Sequence, residues 1–225
     1  MTFSIAGRCQ HSGMLGVAVT TSSICVSSRC PWARAGVGAV ATQNITDPSL
    51  GPKILELLAA GRSASQALAE IVDQQANIEY RQLTVIGTNG TVAHHSGSHT
   101  LGTHAIAQGE DCVSAGNLLA NERIPQAIVD TFVQDPQLHL AERLLRALEA
   151  GLAAGGEQGP VKSAGLLVVH KYDWPLVDLR IDWSDESPIA ALRRLWQAYQ
   201  PQMDDYVTRA LNPQSAPSFG VAGDP

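Results

Sequence analysis

Small and apolar residues recur in strand-like patterns near the start of the chain. Residues 2–6 alternate between polar and apolar, and residues 14–21 are mostly small and apolar, so they predict two strands joined by a turn. Residues 35–42 are a smooth run of small apolar side chains, which predicts a third strand that is buried on both faces. Gly36 and Gly38 are two positions apart, so we expect both to face one side of that strand, where a neighbour approaches closely.

The hydrophobic positions then take up a helical period. Residues 50–60 predict a helix that ends at Gly61, and Ser63 is a favourable N-cap for a second helix over residues 64–74. Two helices in tandem are therefore expected after the first three strands.

A hairpin and further helices are predicted in the rest of the chain. Asn89-Gly90 is a strong hairpin signal between two short strand-like segments. Gly116-Asn117 is predicted to start a helix, because Asn is a favoured N-cap residue. The remaining predicted elements are strands at residues 81–87 and 91–95, a polar loop at 96–109, a short strand at 111–115, helices at 116–132 and 138–154, strands at 162–170 and 176–183, and helices at 188–199 and 203–211.

This order of elements predicts an α+β fold. Adjacent hairpins favour antiparallel sheets, and strands that are apolar on both faces need cover on both sides. Two stacked antiparallel sheets flanked by helix pairs satisfy both requirements, so we predict a four-layer αββα sandwich. Residues 1–211 are expected to form one such domain, and residues 212–225, rich in Pro, Ser and Gly, are expected to be a disordered tail.

Composition narrows the range of partners. The 225 residues carry a formal net charge of −6 and contain no Lys/Arg cluster, which argues against a nucleic-acid partner. No segment approaches ~18 uninterrupted apolar residues, and the first residues lack the pattern of a signal peptide, so we expect a cytoplasmic protein that does not bind membranes. The four cysteines lack C-x-x-C spacing and are expected to be free thiols.

Several stretches of the sequence resemble those of one protein family. They are residues 1–5, residues 31–43, Arg81-Gln82, Gly116-Asn117 and the apolar run after Ala164-Gly165. In these stretches, over roughly residues 1–198, the chain resembles the domain-of-unknown-function family 1028, and its predicted fold resembles that of the N-terminal-nucleophile hydrolases. The resemblance implies a fold of the N-terminal-nucleophile type and a homodimer or larger homo-oligomer. It does not supply an established reaction or substrate.

The superfamily resemblance also implies a mechanism. Removal of Met1 would leave Thr2 at the terminus, where its hydroxyl is the nucleophile and its own α-amine is the base. Arg34 falls near the spacing at which proteasome-like members have a lysine, and a cation there would lower the pKa of the amine. Asn117, with backbone N–H groups of the helix predicted to start there, is the candidate for stabilising an oxyanion.

Other residues are candidates for binding the substrate. They are Arg29, Arg81, Gly116 and Gln43. Arginines near one pole of an acidic chain would suit an anionic small molecule. The chain has Thr21, Ser22 and Ser23 where the proteasome pattern has an aspartate.

Each of these residues also has a structural interpretation. Thr2 can simply start a strand, Arg34 can form a structural ion pair, and Asn117 can be an ordinary helix cap. The histidines form a competing cluster, with His94, His95, His99 and His104 close together in sequence. Neighbours on a strand point to opposite faces, so solvated loop histidines are favoured over a metal site, and neither a metal nor another cofactor is expected.

Three functions are consistent with these patterns. The first is a hydrolase of a small amide that uses Thr2. The second is a non-enzymatic protein that binds a small ligand on the same fold. The third is a hydrolase or cyclohydrolase that uses arginines and an activated water without a covalent intermediate.

Overall fold

Ten strands form two antiparallel sheets in the computed structural model, which describes residues 1–222. The six-stranded sheet has the spatial order β10 (Val177–Ile181), β9 (Ser163–Val169), β2 (Leu15–Thr21), β1 (Thr2–Arg8), β8 (Cys112–Asn117) and β7 (Ala105–Gly109). The four-stranded sheet has the order β3 (Pro31–Arg34), β4 (Gly38–Asn44), β5 (Arg81–Gly87) and β6 (Val92–Ser96). The start of the chain thus lies inside the larger sheet, because β1 pairs with β2 and β8.

The helices begin and end close to the predicted positions in most cases. They are α1 (Leu50–Ala59), α2 (Ala64–Gln74), α3 (Ile124–Gln134), α4 (Leu140–Ala153), α5 (Pro188–Tyr199) and α6 (Met203–Leu211). Ser63 caps α2 in a capping box with Gln66, as its residue type predicts. Gly61 has a φ of 88°, a left-handed conformation that ends α1 at little cost in a glycine.

Both sheets bury apolar residues on two faces. In β1, Phe3 and Ile5 belong to a core formed with α3, α4 and α5, whereas Ala6 belongs to a core shared by the two sheets. The members of the shared core are Ala6, Leu15, Val17, Ala39, Ala41, Ile86, Val113 and Val169. A third core lies between the smaller sheet and the helices α1 and α2. The mixed α+β class with two antiparallel sheets is therefore confirmed.

The segment of residues 31–43 differs from the prediction. It is a hairpin of β3 and β4, and residues 35–37 are its turn rather than the start of a buried strand. Gly36 has a φ of 66°, and the N–H of Val37 donates to the carbonyl of Arg34 at 3.1 Å. Gly36 and Gly38 therefore do not share a strand face. Small apolar residues fit both a strand and a tight turn, so the run alone did not reveal the turn.

The segment of residues 96–124 also differs from the prediction. The polar loop contains strand β7, and Gly116-Asn117 ends strand β8 instead of starting a helix. Helix α3 begins at Ile124, after a turn in which Leu118 has a φ of 50°. Pairing between β8 and β1, which are distant in sequence, outweighed the local preference of Asn for a helix cap.

The predicted disorder of the tail stays a prediction. Pro213–Ser215 form a 3-10 turn, and the guanidinium of Arg209 lies 3.9 Å from the ring centroid of Phe219. Residues 223–225 lie outside the described residues. Within residues 1–222, no helix is both long and apolar enough to cross a membrane.

Candidate active site at the start of the first strand

Thr2 lies between two polar residues of the neighbouring strands. It is opposite Thr21 of β2 on one side and Asn117 of β8 on the other. Its side chain faces the smaller sheet and the residue is only 6% exposed. Residues that are directly opposite in antiparallel strands point to the same face, so the pairing register brings three polar side chains together.

The hydroxyls of Thr2 and Thr21 meet at the carbonyl of Met1. Thr2 Oγ1 donates to Met1 O at 2.6 Å and lies 3.2 Å from Thr21 Oγ1. Thr21 Oγ1 also donates to Met1 O. The peptide bond that methionine removal would cleave is thus held by two buried hydroxyls.

Glu157 places a buried carboxyl group beside the N-terminus. It lies between α4 and β9 and is 6% exposed. Its Oε2 accepts from the backbone N–H of Ser22 at 3.1 Å, and its Oε1 is buried without a hydrogen-bond partner among the described residues. Burial raises the pKa of Glu157 to about 7, although the positive charge of the chain terminus acts in the opposite direction.

A chain of amide side chains lies between the two sheets next to Thr2. Ser4 Oγ donates to Gln43 Oε1 at 2.7 Å, and Gln43 Nε2 donates to Gln82 Oε1 at 2.8 Å. Asn117 Nδ2 donates to the same Gln82 oxygen at 3.1 Å. All four residues are buried. We call these residues, Ser4, Gln43, Gln82 and Asn117, the amide cluster.

Gln82 uses its full hydrogen-bonding capacity, partly outside this cluster. Its Nε2 donates to Ser96 Oγ at 3.0 Å and to the carbonyl of Gly116 at 3.1 Å, and its Oε1 accepts the two bonds described above. Asn117 is different, because its Oδ1 is buried without a partner among the described residues. Asn117 therefore keeps a free acceptor beside Thr2, on a residue that is fully buried.

The structure does not bring Arg34 to Thr2. Arg34 is paired with Gly38 at one end of the β3–β4 hairpin, whereas Gln43 lies towards the other end of β4. Arg34 Nη2 forms an ion pair with Glu56 Oε1 of α1 at 2.6 Å, and both side chains are exposed. This contact matches the structural ion pair that was the alternative interpretation of Arg34.

The other two candidate arginines are held by backbone carbonyls. Arg29 Nη1 donates to the carbonyls of Ile24 and Cys25 at 2.6 and 2.8 Å. Arg81 Nη1 donates to the carbonyl of Ile45, and its side chain leaves β5 on the face opposite to that of Gln82. Both guanidinium groups thus bind loop carbonyls, and Arg81 Nε is buried without a partner among the described residues.

The histidines do not converge on one point. His95 Nε2 lies 3.3 Å from the carbonyl of Ile78, and His104 Nδ1 lies 2.9 Å from the carbonyl of Gly102. The ring of His99 contacts Tyr80 edge-on. Among residues 1–222, no group of three or more His, Cys, Asp and Glu side chains is arranged to hold a metal ion.

Sequence analysis missed Glu157 and the contact made by Thr21. Glu157 follows Gly155-Gly156, which indicates only that a helix ends there. It reaches the site because Leu119 and Glu157 form an isolated bridge and Gln158 N donates to Leu118 O at 3.0 Å. The polar residues at 21–23 were visible in the sequence, but their partner was not.

The chain belongs to DUF1028, a family of unknown function whose model matches residues 2–192. It is similar to a solved structure described as the family-model DUF1028 protein SPO2555 from Silicibacter pomeroyi. The two are 30% identical with a TM-score of 0.82, over 88% of this chain and 89% of that chain. A comparison with curated proteins found no match.

Two further structures are more distant. Anbu, an ancestral β-subunit, from Yersinia bercovieri is 13% identical with a TM-score of 0.40, over 90% of this chain and 96% of that chain. Anbu from Hyphomicrobium sp. strain MC1 is 12% identical with a TM-score of 0.39, over 89% and 95%. At TM-scores of 0.40 and 0.39, these two structures indicate nothing about the function of the present chain.

Proposed function

We propose that this protein is a hydrolase of a small amide in which Thr2, exposed as the N-terminal residue by removal of Met1, is the nucleophile. The observation that carries the proposal is the contact between the hydroxyls of Thr2 and Thr21 at the Met1 carbonyl. The proposal includes a four-layer αββα sandwich. The apolar clusters on both faces of each sheet support that arrangement.

The proposed reaction has two steps. The free α-amine of Thr2 takes the hydroxyl proton as Oγ1 attacks the amide carbon, forming a C–O bond and moving the carbonyl π electrons onto oxygen. The tetrahedral intermediate then breaks its C–N bond, and the ammonium returns the proton to the leaving nitrogen. Water attacks the resulting ester with the same amine as base, which releases the acid and restores the Thr2 hydroxyl.

Neighbouring residues orient the reacting groups in this proposal. Thr21 Oγ1 lies 3.2 Å from the nucleophilic oxygen and holds it in place. Asn117 binds the substrate amide, because its free Oδ1 can accept a hydrogen bond from an N–H group. Gln82 Oε1 accepts from Asn117 Nδ2 and fixes the Asn117 amide, and Gln43 Nε2 donates to the same Gln82 oxygen.

The proposed substrate is an amide that offers hydrogen-bond donors. The buried side-chain atoms without a partner beside Thr2 are acceptors, Asn117 Oδ1 and Glu157 Oε1, whereas Arg81 Nε is a buried donor without a partner among the described residues. The guanidinium group of Arg29 is already bound by backbone carbonyls, and that of Arg34 is bound by Glu56. The acceptors beside Thr2 favour an amide or urea that donates N–H groups, and the anionic character expected from the sequence stays a prediction. The predicted homo-oligomer and the cytoplasmic location stay predictions.

Intact mass spectrometry of the untagged protein tests this proposal. We expect the mass of the chain without Met1, and, after exposure to a panel of small β-lactones, one acyl adduct that maps to Thr2. The matched variant Thr2→Val keeps a small residue that permits Met1 removal and loses the hydroxyl, so it should lose this adduct. Retention of Met1 in the cell, or equal labelling of Thr2→Val, would contradict the proposal.

A non-enzymatic ligand-binding protein is the second candidate. It is favoured by the Met1 carbonyl, which accepts hydrogen bonds from both hydroxyls and would keep Thr2 blocked in a chain that retains methionine. The same mass measurement separates the two functions. A chain that retains Met1 in the cell and binds a small ligand without turnover would support the second.

A further inference from the structure

We propose that Glu157 is the counter-ion of the catalytic amine: after removal of Met1, its free oxygen Oε1 holds the α-amine of Thr2. This inference rests on the proposed function and adds a positioning residue to it. The end of β2 and the two residues that follow it, Thr21, Ser22 and Ser23, contain no carboxylate, so the acidic group comes from the segment before β9.

The carboxyl group is fixed at one oxygen and free at the other. Oε2 accepts from the backbone N–H of Ser22, the residue that follows Thr21, at 3.1 Å. Oε1 has no hydrogen-bond partner among residues 1–222, and the residue is only 6% exposed, so water does not readily reach this oxygen. A buried acceptor without a partner is costly, and a donor from the terminus would satisfy it.

The charge of the terminus already acts on this carboxyl group. In the chain with methionine, the Met1 ammonium lowers the pKa of Glu157 against the larger effect of burial, which raises it to about 7. Removal of Met1 moves the terminal charge by one residue, to the nitrogen of Thr2. Glu157 then faces an amine that is attached directly to the nucleophilic residue.

Other charged or titratable groups near the terminus come from the loop between β2 and β3 and from the segment before β9. Burial raises the pKa of the Cys30 thiol, while Arg29 and the terminal amine lower it, so Cys30 is uncharged near pH 7. Lys162, whose N–H bonds to Thr21 O, directs its ammonium to Asp185 at 3.0 Å. Glu157 therefore remains as the acidic group that can pair with the amine.

The pairing has a defined part in the reaction. When the Thr2 amine removes the hydroxyl proton it becomes an ammonium, and the carboxylate of Glu157 accepts a hydrogen bond from it. The proton stays on the nitrogen until the leaving group takes it, so Glu157 forms and breaks no covalent bond. Its effect is to orient the amine and to raise its affinity for the proton.

The test is the pH dependence of cyanate addition to the α-amine of a chain that begins at Thr2, followed by the mass of the N-terminal peptide. Cyanate reacts with the unprotonated amine, so the rate profile reports the apparent pKa of that amine. Replacing Glu157 by Gln keeps the shape and an acceptor for Ser22 N. We expect the pKa of the amine in Glu157→Gln to be lower by about one pH unit than in the wild type.

Two further variants make the result specific. Glu110→Gln makes the same chemical change at an exposed residue in the turn between β7 and β8, at the opposite end of β8 from Asn117, and should leave the profile unchanged. Glu157→Asp keeps the charge on a shorter side chain and should give an intermediate pKa, which provides a second measurement if the Gln variant does not fold. Profiles of the Glu157 variants that match the wild type overturn the inference, as does an equal shift in Glu110→Gln.

Failure of this inference and failure of the proposed function are distinguishable. Cyanate addition reports the amine and needs no turnover, whereas the β-lactone adduct reports the hydroxyl of Thr2. An unshifted amine with a labelled hydroxyl removes Glu157 from the mechanism and keeps Thr2. A shifted amine with an unlabelled hydroxyl keeps the pair and removes the nucleophile.

Discussion

Thr2 Oγ1 and Thr21 Oγ1 lie 3.2 Å apart, and both hydroxyls donate to the carbonyl oxygen of Met1. The relationship follows from the register of two strands, because Thr2 and Thr21 are directly opposite in β1 and β2. When Met1 is removed, this carbonyl leaves and Thr21 keeps the Thr2 hydroxyl as its neighbour. In the proposed mechanism, Thr21 therefore orients the Thr2 hydroxyl.

Thr21→Val should weaken acylation of Thr2. The variant removes one hydrogen bond to the nucleophile while keeping the shape of the side chain, so we expect labelling by a β-lactone to be about tenfold slower. The matched variant is Thr20→Val on the same strand, whose hydroxyl donates to Ser163 O at 2.8 Å on the opposite face. Equal slowing in both variants would mean that the effect is a general loss of stability.

Glu157 should make the folded chain less stable as the pH rises. Its pKa is about 7 in the folded chain, above the ordinary value of 4.5, so between these values the folded state binds more protons than the unfolded state. The contribution is fully present below about pH 4.5 and is lost as the pH rises through 7. We expect about 3 kcal/mol of the free energy of unfolding to be lost by pH 8.

Urea denaturation of the chain with Met1, followed between pH 4 and pH 8, measures this loss. In Glu157→Gln the free energy of unfolding should fall by about 3 kcal/mol less over this pH range, because the amide does not titrate. Glu110→Gln should follow the wild type. Parallel curves for Glu157→Gln and the wild type would show that Glu157 titrates near its ordinary pKa.

Gln82→Ala should destabilise the fold strongly. The change removes all the hydrogen bonds of a fully buried side chain and leaves Gln43 Nε2 and Asn117 Nδ2 without their acceptor. Together with the cavity, we expect a loss of about 3 kcal/mol in the free energy of unfolding, measured by urea denaturation. Gln108→Ala, at an exposed position of β7, is the control and should change it by about 0.5 kcal/mol or less. A loss below 1 kcal/mol for Gln82→Ala would contradict the network.

Arg34→Ala should leave acylation of Thr2 unchanged. The guanidinium group of Arg34 is bound to Glu56 on the surface, and Arg34 lies next to the turn of the β3–β4 hairpin, at the other end of β4 from Gln43. An exposed ion pair contributes little, so the melting temperature should also stay close to that of the wild type. The measurement is the rate of β-lactone labelling, with Thr21→Val as the positive control. A tenfold loss in Arg34→Ala would restore the catalytic role suggested by its spacing from Thr2.

The outcomes at Asn117 and Arg34 show where sequence analysis succeeds and where it stops. The sequence predicts Asn117 in the site but at the start of a helix, whereas it is the last residue of β8, which pairs with β1. The prediction for Arg34 rests on its spacing from Thr2 along the chain. The turn at Gly36 instead leaves its side chain beside Glu56, and a count of residues does not show such a turn.

Local patterns in the sequence were sufficient to determine the α+β class, most strands and helices, and the family to which the chain belongs. Periodicity, caps and turn residues act over a few positions, so they are visible without a partner. Only the tertiary structure decided that Thr21, Asn117 and Glu157 surround the start of β1. Those contacts arise from strand pairing and loop closure between segments far apart in sequence, which no short pattern encodes.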